Sequence, residues 1–209
     1  MTTIHATGTS ESHHRAERAT VTASVSFVSQ DRARSVEGAT RVHNWIVARA
    51  QQLRDTGDAT WHAADPISTW ARKSYEEGSN SKVVVEHVTQ SRVRIKLANL
   101  ELVGSLVAEL TGFGAETDVS WSLTESFRRQ CEQAERKAAV GAAREVAEDY
   151  AEALGERIAR VVSISDTPGA VSFGGPQARF ASAAMGGPAE VTVAEIAVSA
   201  SVQGVFESE

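Results

Sequence analysis

Three observations predict an α+β protein with mixed, largely antiparallel sheets, one long alanine-rich helix and two shorter helices. Segments with the two-residue alternation of strands and segments with the three-to-four spacing of helices follow one another in mixed order, with few clean strand–helix–strand repeats. The chain of 209 residues is 42% hydrophobic and 23% charged, the composition of a globular protein large enough to bury a core. No stretch approaches the roughly 18 consecutive apolar residues of a membrane helix. We therefore expect a single domain over residues 1–209.

The first quarter of the chain predicts two strands followed by a helix. The run Ile4–Thr9 predicts a short strand, which a polar stretch through Arg18 ends. In Ala19–Val28 apolar and hydroxyl-bearing side chains alternate, which predicts a strand with one buried face. From Asp31 the apolar spacing changes to three and four, as in an amphipathic helix, with Asp31 as its N-cap and Gly57 at its end.

The next segment predicts a β-rich region. Residues 59–75 predict strands interrupted at Pro66, Glu76–Asn80 predicts a turn, and Lys82–Leu97 predicts a long strand. The second half of that strand alternates strictly and places three cations on one face: Arg92, Arg94 and Lys96. Such a row would bind an anion or an acidic partner, although an exposed sheet face or a guarded edge is the more common reason for it.

Two further helices follow, separated by a strand. Asn99 is an N-cap candidate for a short helix that ends at Gly112–Gly114, and Thr117–Leu123 predicts a strand. The longest helix is predicted to begin at Thr124 and to end near Leu154. Its predicted apolar stripe consists of Phe127, Cys131, Ala134, Ala138, Ala142, Val146, Tyr150 and Ala153. Because most of these side chains are small, we expect the helix to lie close against a sheet or another helix.

The last quarter predicts a short strand, a long loop and a final strand. Ile158–Ser165 predicts the short strand, and Glu190–Phe206 has almost pure β composition. Residues 166–188 between them are rich in Gly, Pro and Ala, and a loop of this length inside a compact domain is usually functional or disordered.

The sequence contains no motif that predicts catalysis or a metal site. Phosphate-binding glycine loops, the Gly-x-Ser-x-Gly elbow, Cys-x-x-Cys and His-Glu-x-x-His are all missing. We therefore predict no catalytic, cofactor-binding or metal-binding residues, no cofactor, and a protein that is not an enzyme.

The six histidines do not change this prediction. His13 and His14, with His5 upstream, would make an adventitious metal site at most, because neighbouring histidines on a polar segment are usually solvated. His43 is predicted on the exposed side of its helix. His62 and His87 would approach each other across a hairpin only in a register that nothing in the sequence fixes.

Charge and cysteine content limit the cellular compartment and the kinds of partner that we expect for this protein. A net charge of −6 and an isoelectric point near 5.6 argue against general nucleic-acid binding. The single cysteine, Cys131, excludes an internal disulfide and is interpreted as a small apolar residue on a helix face. Residues 1–12 lack the apolar segment of a secretory signal, so we expect a cytoplasmic protein without a membrane span.

Three segments resemble the SIMPL-domain family. Residues 142–155, AAREVAEDYAEALG, are similar to the alanine-rich helix of that family, which ends in Ala-x-x-Leu-Gly. Residues 161–166, VVSISD, stand where the family has a strand of the type Val-x-Ser-Ile-Ser-Glu, and residues 196–206, IAVSASVQGVF, resemble its final strand. With weaker matches at Ala6–Gly8 and Ser91–Leu97, the resemblance extends from about residue 4 to residue 207.

This resemblance implies a SIMPL-like α+β fold and a role in binding rather than catalysis. Members of the family include bacterial periplasmic or outer-membrane immunogenic proteins, an oxidative-stress defence protein and a eukaryotic kinase-associated adaptor, and no catalytic residues are established for them. Some bacterial members are associated with ring-like or channel-like homo-oligomers. We expect this chain to depart from the many bacterial members that carry a signal peptide, and it has an additional β-like piece at Val191–Val193.

Two functions follow as hypotheses. The first is a non-enzymatic SIMPL-domain protein, connected with stress or envelope maintenance, that forms homo-oligomers or binds a protein partner. Its contacts would be unpaired strand edges at Lys82–Leu97 or Glu190–Phe206. The alternative is a small-ligand or anion-binding module that uses the face of Arg92, Arg94 and Lys96, with residues 166–188 as a lid.

Overall fold

The computed structural model describes residues 1–75, 83–166, 172–174, 178–179 and 191–209. In chain order the elements are β1 (Thr2–Arg15), β2 (Arg18–Ser29), α1 (Arg32–Asp55), β3 (Ala59–Ala64), β4 (Ser68–Tyr75), β5 (Val83–Leu97), α2 (Leu102–Gly112), β6 (Glu116–Ser122), α3 (Glu125–Ala153), β7 (Ile158–Asp166), β8 (Ser172–Gly174), β9 (Ala178–Arg179) and β10 (Glu195–Ser208). All strand pairs are antiparallel, and the predicted α+β fold is confirmed.

The chain divides into two compact units, each built from discontinuous segments. Unit 1 consists of Met1–Ala16, Leu123–Pro176 and Ala194–Glu209. Unit 2 consists of Glu17–Ser122 and Gln177–Val193. The single domain predicted for residues 1–209 stays a prediction.

Unit 1 is a four-stranded sheet with α3 packed on one face. β10 lies in the middle, since β1 pairs along one side of it while β7 and β8 pair in succession along the other. β1 is longer than the predicted strand Ile4–Thr9, because all of its 14 residues pair with β10, from Thr2 opposite Ser208 to Arg15 opposite Glu195. These backbone bonds form whatever the polarity of the side chains, so the polar stretch does not end the strand. The β-like piece predicted at residues 191–193 is not a strand, since β1 ends opposite Glu195.

The buried face of α3 differs from the predicted stripe. Of that stripe Cys131 is buried, whereas Ala134, Ala138 and Tyr150 are exposed. The residues that face the core recur every four positions: Cys131, Glu135, Ala139, Ala143, Ala147 and Ala151. The predicted row and the buried row of the helix are both rich in alanine. Side-chain size alone therefore does not show which of the two rows is buried.

A glycine in β1 explains which alanine row is buried. A Cβ atom on Gly8 would overlap the carbonyl oxygen of Ala139 and the amide nitrogen of Ala143, and it would lie 2.8 Å from the Cα of Ala143. The backbones of β1 and α3 are therefore in direct contact at this point. Because the side chains on this face of the helix are as small as alanine, the helix can lie this close to the strand.

Unit 2 is a second antiparallel sheet with α1 and α2 on one face. β2 lies between β5 and β6, the two halves of β5 pair on their other side with β3 and β4, and β9 pairs with β6. As predicted, the side chain of Asp31 caps α1, accepting a hydrogen bond from the amide of Ala33 at 2.8 Å, and Gly57 follows the helix with a φ of 83°. α2 begins at Leu102 rather than directly after Asn99, whose side chain donates to Asp58 at 2.9 Å and accepts a hydrogen bond from the amide of Glu101 at 3.2 Å.

The two predicted strand edges are wrong. β5 is flanked by β2 on one side and by β3 and β4 on the other, and β10 is flanked by β1 and by β7 with β8. Among the described residues of unit 1, the outer strands of the sheet are β1 on one side and β7 with β8 on the other. Both apolar stretches are central strands that bury alternate side chains, from Ser91 to Leu97 in β5 and from Ile196 to Val202 in β10.

Some predictions lie outside the described residues. The turn at residues 76–80 is one of them, and so is most of the loop at residues 166–188, in which only β8 and β9 are described. None of the helices in the described ranges is both long and apolar enough to cross a membrane.

Candidate functional site

The side of the unit 2 sheet opposite its helices carries three columns of polar side chains, which we call the open face. α1 lies on the other side, since His43 contacts Ser91 there, and Thr111 of α2 likewise contacts Thr117. The cation column on β5 consists of Arg92, Arg94 and Lys96. The hydroxyl column on β2 consists of Thr20, Thr22 and Ser24. The acid column on β6 consists of Glu116, Asp118 and, at its end, Ser120.

The strand register places these columns side by side, row by row. Ser24 lies opposite Arg92 on β5 and opposite Glu116 on β6, and Thr22 likewise separates Arg94 from Asp118. Neighbouring strands are about 4.8 Å apart, so the cation and acid columns are separated by roughly 10 Å. Within the described residues no ion pair joins the two columns, although Arg94 pairs with Asp65 and the register places Asp118 opposite Arg179 of β9.

Arg94 is the most constrained of the three cations. Its Nη2 atom donates to Oδ1 of Asp65 at 3.0 Å, and its guanidinium carbon lies 5.8 Å from the ring centroid of Trp61. Arg92 is exposed, and in the part of the chain that the structure describes neither Arg92 nor Lys96 makes an ion pair. Two of the three predicted cations are therefore available to a partner.

A cleft opens on the same face between β2, β5 and the segment that joins β3 to β4. Its polar lining consists of Ser24, Ser26, Asp65, Ser68, Gln90, Ser91, Arg92 and Glu116. One cation thus faces two carboxylates across the cleft. A simple anion bound to Arg92 would meet Asp65 and Glu116 as well, which weakens an anion site at this position.

The sequence analysis predicted the cation column of the open face but not its acid column. It placed Arg92, Arg94 and Lys96 together, and the structure places them together. It missed the acid column, although Glu116 and Asp118 alternate along their strand just as the cations do. The missing information was the pairing of β2 with both β5 and β6, because alternation shows which residues share a face of one strand but not which strands are neighbours.

A second polar cluster lies in unit 1, where β1 meets α3. Glu135 is 8% exposed, and its carboxylate accepts a hydrogen bond of 2.5 Å from the hydroxyl of Ser10. Ser12 also hydrogen-bonds to Glu135, and its hydroxyl lies 2.8 Å from Nε2 of His14. The ring of His14 in turn contacts Phe127 edge-on, with centroids 5.2 Å apart. The hydroxyl of Ser10, followed by that of Ser12, lowers the pKa of Glu135 in spite of its burial.

The order of groups in this cluster is not that of a hydrolase. In a Ser-His-acid triad the imidazole lies between the nucleophilic hydroxyl and the carboxylate, so that it takes the proton of the serine. Here the hydroxyl of Ser12 lies between His14 and Glu135. The cluster satisfies a buried carboxylate, since the hydroxyls of Ser10 and Ser12 both bond to Glu135.

The histidines do not converge on a metal site. Alternation along β1 places His5 and His13 on the face opposite His14, and His13 lies 3.4 Å from Glu11. Contrary to prediction, His43 is half-buried, with Nδ1 3.0 Å from the hydroxyl of Ser91. Over the described ranges, no three His, Cys, Asp or Glu residues could hold a metal ion.

His62 and His87 do not approach each other, because His62 pairs near one end of β5 and His87 lies nearer its other end. His62 is opposite Ile95 on β5, whereas His87 belongs to β5 itself and is opposite Ala71 on β4. Eight residues of extended strand separate the two positions, about 26 Å at the usual rise per residue.

We expect Glu135→Gln to change how stability depends on pH. A carboxyl whose folded pKa lies below its usual value stabilises the protein above the unfolded pKa, and this contribution is lost as the pH falls through the folded pKa. Glu135→Gln should lower the free energy of unfolding at neutral pH by about 1.5 kcal/mol and should leave it less sensitive to acid. Urea unfolding between neutral and acidic pH measures both effects.

The control for this experiment is Glu148→Gln, which removes an exposed carboxylate that pairs with Arg144 on the same helix. Its curve should follow that of the wild-type protein. Some acid sensitivity should remain in Glu135→Gln, because Asp58, Glu125 and Glu156 also have lowered pKa values, that of Glu125 at about 2 through its bonds to Arg128 and Arg129. A Glu135→Gln curve parallel to the wild-type curve would contradict the role assigned to this carboxylate.

Comparison with known proteins gives one match and one negative result. The family model SIMPL, described as a protein of unknown function (DUF541), matches residues 4–206 of the 209. No curated protein matches the chain.

Proposed function

Because the chain belongs to the SIMPL family, whose function is unknown, we propose a function from the chain's own surface: a non-enzymatic protein that self-assembles. The observation that carries the proposal is the segregation of cations and acids into two columns of the open face. Each column attracts its opposite, and in the part of the chain that the structure describes no ion pair joins one column to the other. A surface of this kind is suited to a protein contact rather than to a small substrate.

The non-enzymatic part of the proposal rests on the chemistry of the two polar clusters. Ser12 in unit 1 donates its one hydroxyl proton to the carboxylate of Glu135, so Nε2 of His14 donates to Ser12 instead of serving as the base that a nucleophilic hydroxyl needs. In unit 2 the cleft beside Arg92 is lined mainly by polar and charged residues, with Val25 and Pro66 as its apolar ones, whereas small-molecule sites are usually lined by apolar side chains. The connection with stress or envelope maintenance that the family resemblance implies stays part of the proposal.

The native mass of the purified protein tests self-assembly. Light scattering on a sizing column should give a discrete multiple of the 22.3 kDa chain mass at low ionic strength. A mass of one chain over the whole micromolar range would contradict the proposal and would direct attention to an unlike protein partner.

The alternative function is an anion-binding site at Arg92, and the exposure of Arg92 and the lack of an ion pair for it within the described residues favour it. A ligand at about 100 times its dissociation constant stabilises a protein by about 2.7 kcal/mol. Thermal unfolding with and without inorganic phosphate therefore tests this function, with Arg92→Gln as the control. An increase in melting temperature in the wild-type protein that Arg92→Gln lacks would support it, and equal melting temperatures would exclude it for phosphate.

A further inference from the structure

We infer that the occupant of the open face is a second copy of this chain, related to the first by a two-fold axis that runs along β2. This inference rests on the proposed self-assembly and goes beyond it by naming the surface and the symmetry. It is carried by three observations on the open face: the two charged columns, the hydroxyl column between them and the row-by-row register.

The symmetry follows from how the columns are arranged. Two copies can stack with their open faces together around a two-fold axis that lies midway between the faces and parallel to β2. This axis places β5 of one copy over β6 of the other and leaves the position along the strand unchanged. Each cation column then lies over the partner's acid column, and the hydroxyl columns lie over each other. A two-fold axis across the strands would instead place cations over cations and acids over acids, which is repulsive.

The register makes the match specific at the level of single residues. Arg92 and Glu116 share one row with Ser24, so in the paired faces Arg92 of each copy lies over Glu116 of the other. Arg94 and Asp118 match in the same way in the row of Thr22. An interface that is self-complementary in this sense is the commonest kind in homodimers.

The exposure and the existing bonds of these groups decide which pair contributes most. Arg92 and Glu116 are exposed, whereas Arg94 already bonds to Asp65 at 3.0 Å. The twist of two stacked sheets also limits close contact to the rows near their crossing point. The pair formed by Arg92 and Glu116 is therefore the one to test.

Complementary charge reversal provides the test. In the row of Ser24, Arg92→Glu places acids on both β5 and β6 and Glu116→Arg places cations on both, so each variant alone should assemble with a dissociation constant at least about tenfold higher than that of the wild-type protein. In an equimolar mixture, every contact between an Arg92→Glu chain and a Glu116→Arg chain joins opposite charges. The mixture should therefore assemble as well as the wild-type protein.

The controls separate this inference from self-assembly itself. Arg41→Glu makes the same charge change on the exposed side of α1, away from the open face, and should assemble normally. Circular dichroism verifies folding, and the milder variants Arg92→Gln and Glu116→Gln should also weaken assembly. Light scattering of all variants and of the mixture gives the masses.

Each possible result of this experiment supports or overturns either the two-fold arrangement or self-assembly itself. Single variants that assemble like the wild-type protein overturn the inference but leave self-assembly standing, with the exposed outer strand β7 as the next surface to test. Single variants that dissociate and a mixture that stays dissociated overturn the two-fold arrangement. A wild-type protein that is monomeric under all conditions overturns both proposals.

Discussion

Gly8→Ala is expected to destabilise the protein more than a single methyl group normally does. The added Cβ would overlap two backbone atoms of α3, the carbonyl oxygen of Ala139 and the amide nitrogen of Ala143, and backbone cannot move aside as the end of a flexible side chain does. We expect the free energy of unfolding to fall by about 3 kcal/mol, because α3 has to shift away from the sheet. Urea unfolding at neutral pH measures the loss.

Gly141→Ala is the matched control for this variant. Gly141 lies on the same helix, it is exposed, and a Cβ there would meet no atom within 4 Å. Because Gly costs about 1 kcal/mol relative to Ala inside a helix, this substitution should stabilise the protein slightly. If Gly8→Ala and Gly141→Ala unfold at the same urea concentration, β1 and α3 are not in direct backbone contact.

Phe206→Ala is expected to have a similarly large effect for a different reason. Phe206 is 1% exposed and packs in one cluster with Ile4, Val202 and the buried alanines of α3. Its ring also covers Gly204, where a Cβ would lie 2.7 Å from the ring's Cζ atom. Removing the ring leaves a cavity lined by small side chains that cannot fill it, so we expect a loss of about 4 kcal/mol in the free energy of unfolding.

The adjacent residue provides the control for Phe206→Ala. Val205 is half-buried on the opposite face of the same strand, so Val205→Ala should cost about 1 kcal/mol. Chemical denaturation of the two variants compares a cavity in the unit 1 core with the loss of a partly exposed side chain. Equal losses for the two would contradict the placement of Phe206 at the centre of that core.

The periodicity of the sequence was sufficient to predict the fold class and most elements. The change from alternation to three-to-four spacing at Asp31 located α1, and the break at Pro66 separated β3 from β4. These features are local, because alternation and helical spacing are set by residues a few positions apart.

What the sequence did not predict depends on contacts between distant segments. The long strand β5 was interpreted as an edge, because strand composition does not reveal how many neighbours a strand has. The buried row of α3 was misplaced, because the close approach at Gly8 comes from a residue more than 130 positions away from Ala143. For the same reason the cations of the open face were predicted, and Glu116 and Asp118, which belong to another strand, were not.

The effect of salt on the native mass tests the central claim most directly. Charges on an exposed face interact over about 30 Å at 0.01 M salt but over only about 3 Å at 1 M. If opposite columns of two open faces hold the copies together, light scattering should show a discrete multiple of 22.3 kDa at low salt and a decrease towards one chain mass at high salt. An assembly whose mass is unchanged or larger at high salt would contradict the account, because apolar contacts would then hold it together.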